Sequence, residues 1–456
     1  MNKKILSMLL IFTLTFSLVL SACKAEEETV PEDTPLTFYT LQNYRSHLVE
    51  VIEKYNKFCL IHGDYNDRVE VKYFETNEEM TEVLSVEMMS DGGPDIISLD
   101  CMLPYEKLAK SGSFADIDKI ISDYGSEIDF ADYNQVVMDS GIVDGKRYFI
   151  PLFYSPNVWA TNESKLERLG FTSDTFSYEV LAEVLPQYQG ELAFTLDSVE
   201  FFYYFIDCFV DLKNETHDFD TEEFSKALDY VTVLNNDCGF EGVENNVDAW
   251  QKACLLQPPF AMYFGFSPLN YASMQINRNN GEDKIAVVNN FSRDNEISAY
   301  VNMGFAINEN CKQKEKVLTF IEYALGDRCQ GYWCGELHDE TGFTGTNYLD
   351  LPVKTAIYES ALNKAYDYVG TLDEDSTIDE ADAEILKAKN KALDEGFKPI
   401  VENIKTCSLY DFNRINATHY NQNVVYKLMN DYLDGNITKE VFIDRLCSAT
   451  EIYMNE

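Results

Sequence analysis

Apolar and polar positions alternate along the chain in two recurring rhythms. Leu36-Thr37-Phe38-Tyr39-Thr40-Leu41 has the β-branched and aromatic character of a strand, and His47 to Phe58 then places Leu48, Val51, Ile52 and Tyr55 at helical spacing. The unit repeats. Val69 to Phe74 alternates like a strand, Asn77 stands where a helix cap belongs, and Met80, Val83, Leu84 and Met88 form the apolar stripe of a second helix. Gly92-Gly93 turns the chain into Pro94 to Asp100, a short apolar run that ends in an acid. Strand, helix, strand, helix, strand predicts a mostly parallel sheet covered by helices, with ligand groups at the carboxyl ends of its strands. Gln42, Asn43 and Tyr44 follow the first strand, and Asp100 with Cys101-Met102 follows the third.

The N-terminus has a different pattern. Lys3 and Lys4 precede Ile5 to Leu20, an apolar run broken only by Ser and Thr, which reads as an export signal rather than a membrane span. Leu20-Ser21-Ala22-Cys23 resembles a bacterial lipobox, in which the Cys thiol takes a diacylglyceryl group and cleavage leaves Cys23 as the new N-terminus. The next residues, Lys24 to Pro35, are acidic, contain proline and lack periodicity, so they read as a flexible tether. These features predict anchoring by lipid on the outer face of the cell membrane.

Length and charge narrow the remaining possibilities. At 456 residues the chain exceeds what one hydrophobic core serves, so two or more packed bodies are expected. Against 36 Lys plus Arg stand 78 Asp plus Glu, a net charge of −42. Such a surface does not release counterions from nucleic acid and does not attract anionic lipid. Of 11 cysteines, ten remain once Cys23 is lipidated, and none has zinc-ribbon or redox spacing. Cys59, Cys101, Cys208, Cys254 and Cys447 lie in apolar stretches as small buried thiols, whereas Cys329 and Cys334 are close enough in sequence for a local disulfide.

Several blocks in order resemble one family. Gly93-Pro94-Asp95-Ile96-Ile97, followed by Ser111-Gly112 and Phe114-Ala115-Asp116-Ile117, is similar to the extracellular solute-binding proteins (family 1, sugar-type) of bacterial ABC importers. Asp144 to Pro151 looks like that family's hairpin entering the first hinge crossing, and Trp159-Ala160-Thr161-Asn162 like the returning strand and helix start. Thr161 replaces the aromatic usual before that Asn. Phe260 to Phe266 resembles the family's Ala-Met strand and aromatic ligand loop, with Gln257-Pro258-Pro259 in place of the usual Gly-Lys. Tyr300 to Ile307 looks like the second crossing, Glu315 to Leu325 the helix after it, Leu351-Pro352-Val353 the third crossing, and Tyr432 to Glu440 with Phe442, Leu446 and Tyr453 the final helix pair.

The resemblance implies a two-lobed, periplasmic-binding-protein-like α/β fold of type II, each lobe a mostly parallel sheet flanked by helices, joined by hinge crossings. It divides the chain into a signal peptide (1–22), an anchored tether (23–35), lobe 1 (36–152 plus 301–350) and lobe 2 with C-terminal helices (153–300 plus 351–456). It implies a monomeric receptor that captures a carbohydrate, an oligosaccharide in particular, and delivers it to an ABC permease. No cofactor or metal is expected.

Pyranose rings pack on aromatic rings, and their hydroxyls need convergent polar partners, because an unpaired buried polar group costs about 1–3 kcal/mol. The chain supplies 29 Tyr, 29 Phe and 3 Trp. Besides Gln42, Asn43, Tyr44 and Asp100, the candidate ligand residues are Phe153, Tyr154 and Ser155 after the first crossing, Trp159, Phe264 and Phe266 in the Ala-Met block, and Tyr332 with Trp333. Phe201 to Phe205 is apolar on several helical faces and reads as core.

Other chemistries find less support. There is no P-loop, dinucleotide fingerprint, Gly-x-Ser-x-Gly elbow or His-Glu-x-x-His among the residues, and the five histidines are dispersed. Asp373, Asp375, Asp379 and Glu384 are spaced like a calcium loop, but Ile378 stands where that loop needs glycine, and Thr377 with Glu380 reads as a capping box. Three alternatives stay open: the same fold binding a cationic solute such as a polyamine, drawn by the acidic surface; an anchored glycoside hydrolase, for which two carboxylates suffice; and an adhesive surface module without two-lobe closure.

Overall fold

The computed structural model describes residues 31, 33–42, 48–62, 65–99, 103–168, 170–172, 192–194, 205–206, 208–237, 260–264, 285–289, 296–333, 351–364, 393–409 and 420–455. The first three strands form the predicted parallel unit. β1 (Leu36–Leu41) pairs in parallel with β2 (Val69–Phe74) in an unbroken register from Leu36↔Val69 to Leu41↔Phe74, and with β3 (Ile96–Ser98) at Phe38↔Ile96. Alternation on β1 buries Leu36, Phe38 and Thr40 on one face. The Asp95 carboxylate accepts from both Thr37 N and Thr37 Oγ1 at 2.9 Å, tying the entry of β3 to β1.

Helices cover this sheet as the stripes predict. α1 (Leu48–His62) buries Leu48, Val51, Ile52, Tyr55 and Cys59, and Tyr55 meets Phe320 edge to face at 5.2 Å. Helix α2 (Asn77–Met89) starts one residue earlier than its sequence suggests: Thr76 is the cap, its Oγ1 accepting from Glu79 N at 3.2 Å, and Asn77 is the first helical residue. After β3 come α3 (Tyr105–Lys110), α4 (Ile117–Tyr124) and α5 (Gln135–Asp139), capped in turn by Asp116 and Asn134 for the last two. A hairpin of β4 (Ile142–Val143) and β5 (Lys146–Arg147) turns through Asp144 and Gly145, both at positive φ, as the tight primed turn requires. Arg147 is buried, with Nε donating to Asp118 at 3.1 Å, Nη1 to Met138 O at 2.5 Å and the guanidinium over the Phe130 ring.

The two longest strands carry the chain past the carboxyl edge of β1–β3. β6 (Phe149–Asn162) has 14 residues, about 46 Å at the usual rise, and the sequence blocks at either end of it are one continuous strand. Its first part, Phe149 to Asn157, pairs antiparallel with β12 (Ile297–Ile307). Its last part pairs with β11 (Ile285–Asn289) over Val158 to Asn162 and with β10 (Phe260–Phe264) at Trp159 and Ala160. β10 in turn runs parallel to β7 (Leu192–Phe194). The strand order is β2-β1-β3-β12-β6-β10-β7.

Between β6 and β10 in the chain lie α6 (Glu163–Arg168), a small hairpin, β8 (Val210–Asp211) with β9 (Thr216–His217), and α7 (Glu222–Asp237). β12 reaches β3 at Phe305 to Ile307 and, at its other end, pairs in parallel with β14 (Ile404–Ser408). β13 (Leu351–Pro352) joins β6 at Phe153 and Tyr154. Helix α8 (Lys314–Leu325) buries Val317, Phe320, Ile321 and Ala324 as its pattern predicts, and α9 (Asp327–Trp333) and α10 (Thr355–Lys364) follow. After α11 (Lys398–Glu402), the chain ends in the expected pair, α12 (Tyr426–Leu433) and α13 (Lys439–Asn455), the latter burying Phe442, Leu446 and Tyr453. Among the described residues no helix is long and apolar enough to cross a membrane. Cys329 is a free, buried thiol; Cys334, the capping box at Thr377 and Glu380, and the segment through Cys23 lie outside the described residues.

Candidate functional site

The carboxyl edge of β1–β3 and the crossing strands meet at Gly304. Leu99 N donates to Gly304 O at 3.1 Å, so β3 ends against β12, while Gly304 pairs with Pro151 of β6. Register breaks on both strands here: Asn302 of β12 and Leu152 of β6 have no opposite residue, so each strand bulges once and the alignment recovers. Bulges bend a strand and sharpen its twist. The carbonyl freed at Leu152 is taken up by Val353 N at 3.2 Å and by the wholly buried Gln330 side chain at 3.4 Å. Asn302 turns its side-chain amide to Ser155 Oγ at 2.7 Å. One step further, Asn157 Nδ2 donates to Ser298 Oγ at 3.2 Å. Two amide-to-hydroxyl pairs thus bind β6 to β12.

The structure distributes the predicted ligand residues around this seam. Gln42 leaves the end of β1, exposed, with its backbone N donating to Phe74 O at 2.8 Å. Phe153, Tyr154 and Ser155 are consecutive on β6 beside the bulge, and all three are buried. The Tyr154 hydroxyl accepts from Asn134 Nδ2 at 3.2 Å, and burial pushes the neighbouring Tyr358 phenol well above its ordinary range. Trp159 and Phe264 are brought together as direct backbone partners on β6 and β10. Tyr332 and Trp333 close α9, which Gln330 fastens to β6. Asn43, Tyr44, Asp100 and Phe266 lie outside the described residues.

Sequence reading did not single out Asn157, Ser298, Asn302 or Gln330. Their signal was present: asparagine is depleted in strands, so an Asn inside Tyr-Val-Asn-Met-Gly-Phe asks for a hydrogen-bonding reason. A cavity of about 350 Å³ also opens where α3, the β8–β9 hairpin, β14, the middle of β6 and the start of β12 meet. None of the predicted ligand residues lines it. Among the described residues no group of three or more His, Cys, Asp or Glu is placed to hold a metal ion.

No protein-family model and no curated protein matches the chain. Solved structures do. The sugar-binding protein MalE from Xanthomonas citri superposes with a TM-score of 0.56 at 15% identity, over 92% of this chain and 98% of its own. An ABC substrate-binding protein from Listeria monocytogenes in complex with cycloalternan gives 0.55 at 15% identity, over 93% and 98%. A chitin oligosaccharide binding protein gives 0.57 at 14% identity, over 93% and 100%. The chain therefore has the fold of the extracellular and periplasmic solute-binding proteins of ABC transporters, a periplasmic-binding-protein-like α/β fold of mixed sheets and flanking helices.

Proposed function

We propose that the protein is a lipid-anchored extracellular receptor of an ABC importer, a monomer that captures a carbohydrate, an oligosaccharide in particular, between two lobes and presents it to the permease. The observation that carries this reading is β6, one uninterrupted strand whose partner changes from β12 to β10 and β11 along its length, with β13 laid beside its middle. Lobe 1 comprises 36–152 and 301–350, and lobe 2 comprises 153–300 and 351–456. The hinge is the set of β6, β12 and β13, with the paired bulges at Leu152 and Asn302 as its bending points. Of the similar structures, one is a sugar-binding protein, one is a chitin oligosaccharide binding protein and one is in complex with cycloalternan, and the many aromatic residues suit pyranose faces.

The mechanism needs no chemistry on the solute. A solute that touches both lobes binds the closed form more tightly than the open one and shifts the population by that difference. Hinge strands absorb the rotation. Gln42, Asn43, Tyr44 and Asp100 would present polar groups from the strand ends of lobe 1, Ser155 from the seam, and Trp159, Phe264, Phe266, Tyr332 and Trp333 the ring surfaces. Cys23 carries the lipid that keeps the receptor beside its permease.

A thermal-shift screen tests this reading, using mono- and oligosaccharides, amines and peptides, with each mixture analysed afterwards for cleavage. A solute at a hundredfold excess over its Kd stabilises the folded state by about 2.7 kcal/mol. A shift with intact sugar is the expected result. A shift confined to amines contradicts the carbohydrate assignment, and hydrolysed sugar overturns the receptor reading itself.

A further inference from the structure

The end of the first sheet opposite the candidate site has a surface that the receptor reading does not use. β1, β2 and β3 run in parallel, so their amino ends, Leu36, Val69 and Ile96, lie together, and β12 ends at the same place with Ile307 opposite Ile96. The connecting helices return there: α1 ends at His62, α2 ends at Met89, and α8 begins at Lys314. These ends carry exposed apolar side chains, Met89 at 80%, Leu60 at 64%, Tyr65 at 51% and Ile61 at 48%. The charge balance is inverted at the same place. Residues 54–68 and 312–316 carry six Lys or Arg against three Asp or Glu, in a chain with 36 against 78. The adjoining Glu70 and Glu309 are paired with Arg68 and Lys314 at 3.3 and 3.2 Å. The Arg68 guanidinium also lies over the Tyr65 ring, 4.6 Å from its centroid. The chain from Cys23 arrives at this end too. Lys316 Nζ donates to Thr34 O at 2.9 Å and to Asn66 O at 2.8 Å, and Gln313 Nε2 donates to Pro35 O at 3.3 Å.

We infer that this end of the molecule rests on the lipid bilayer, with Leu60, Ile61, Tyr65 and Met89 at the boundary of headgroups and acyl chains and the exposed Lys57 and Lys312 among the phosphates. Such a contact presupposes the lipid anchor proposed above at Cys23, and it fixes which face the anchored protein turns to the membrane. Reach selects that face. Thr34 follows Cys23 by eleven residues, which span at most about 40 Å, whereas a compact chain of 456 residues is about 60 Å across, so the far end of the molecule does not reach lipid. Charge selects the same face. A surface carrying −42 overall is repelled by anionic headgroups, while Lys and Arg close to them are attracted, so the protein settles with its cationic end down. Apolar area and cations together make an interfacial contact, and tyrosine belongs at the headgroup level. The carboxyl edge of β1–β3, where Gln42 leaves β1, then faces away from the bilayer.

The test is quenching of tryptophan fluorescence by brominated lipid. The lipid-anchored protein is reconstituted in vesicles of equal parts phosphatidylcholine and phosphatidylglycerol, with and without bromine on the upper acyl chain, and floated on a density gradient. Tyr65→Trp should lose about half or more of the fluorescence it adds to that of the parent protein, whereas Ile452→Trp, at an exposed position of α13, should lose none. Lys57→Glu with Lys312→Glu in the Tyr65→Trp background should reduce the quenching about twofold or more. Equal melting temperatures of these variants and the parent in detergent show that they fold. Floated protein with equal quenching at the two positions, with none for Tyr65→Trp, or with quenching that the charge reversals leave unchanged overturns the contact face and leaves the anchor standing. Protein left at the bottom of the gradient overturns the anchor and the contact face with it. Sedimentation of the detergent-solubilised protein as a dimer that Ile61→Asp dissociates would assign the face to a second copy and overturn the bilayer contact as well.

Discussion

Replacing Gly304 by alanine puts a methyl group where the end of β3, β6 and β12 converge. A β-carbon built there lies 2.6 Å from Leu99 Cδ1, 2.8 Å from Ile150 O and 3.4 Å from Pro151 Cα. The leucine methyl can swing aside, but the Ile150 carbonyl belongs to β6 where it pairs with Phe305 and moves only with its strand. Overpacking of this kind costs about 1–3 kcal/mol. With an unfolding entropy of about 2.1 cal/mol/K per residue, each kcal/mol lowers the melting temperature of a 456-residue chain by roughly 1 °C, so the variant should melt about 1–3 °C lower. Urea unfolding followed by far-UV circular dichroism should show a lower midpoint at unchanged slope. Gly92→Ala is the internal control, since its β-carbon meets nothing nearer than Glu87 O at 3.4 Å. A Gly304→Ala midpoint equal to that of Gly92→Ala would refute the close approach of β12 to β6 on which the hinge argument rests.

Two further outcomes follow from the packing and one from the sequence. Ser155→Ala removes the acceptor for Asn302 and should cost about 1–3 kcal/mol, with Ser155→Thr retaining most of it; equal stability of the alanine and threonine variants in denaturant titration would contradict a structural role for that bond. Burial pushes the Cys329 thiol up to about 12, so at pH 8 it should resist iodoacetamide in the folded protein and react after denaturation; prompt native-state labelling, read by mass spectrometry, would contradict the packing of α9. Cys23→Ala should yield protein that carries no lipid, and continued incorporation of labelled fatty acid would exclude Cys23 as the anchor.

Local rules made most of the elements legible. The strand character of β1 and the stripe of α8 depend on residues near one another in sequence, and both elements are present, as is the hairpin at Asp144-Gly145 that the resemblance implied. The one-residue shift at the start of α2 reflects competition between two neighbouring caps, Thr76 and Asn77, which propensity alone does not rank for a particular chain. Less legible was the continuity of β6. Pro151 and Pro156 interrupt its pattern, and the structure sets Pro151 beside the bulge at Leu152, a place where a strand tolerates proline. The seam of the candidate site was legible at Ser155 but not at Asn302 or Ser298, because a cross-strand hydrogen bond joins residues more than 140 positions apart. Gln330 shows the same limit: its amide serves carbonyls on β6 and α8, and no local pattern announces those partners.

The central claim is capture by closure about β6, β12 and β13. Small-angle scattering from the protein, alone and saturated with the sugar that gives the largest thermal shift, tests it most directly. The account predicts a smaller radius of gyration and a narrower distance distribution with sugar bound. Superimposable profiles, with binding verified in the same sample by calorimetry, would contradict hinge closure and leave the fold as a rigid binding module.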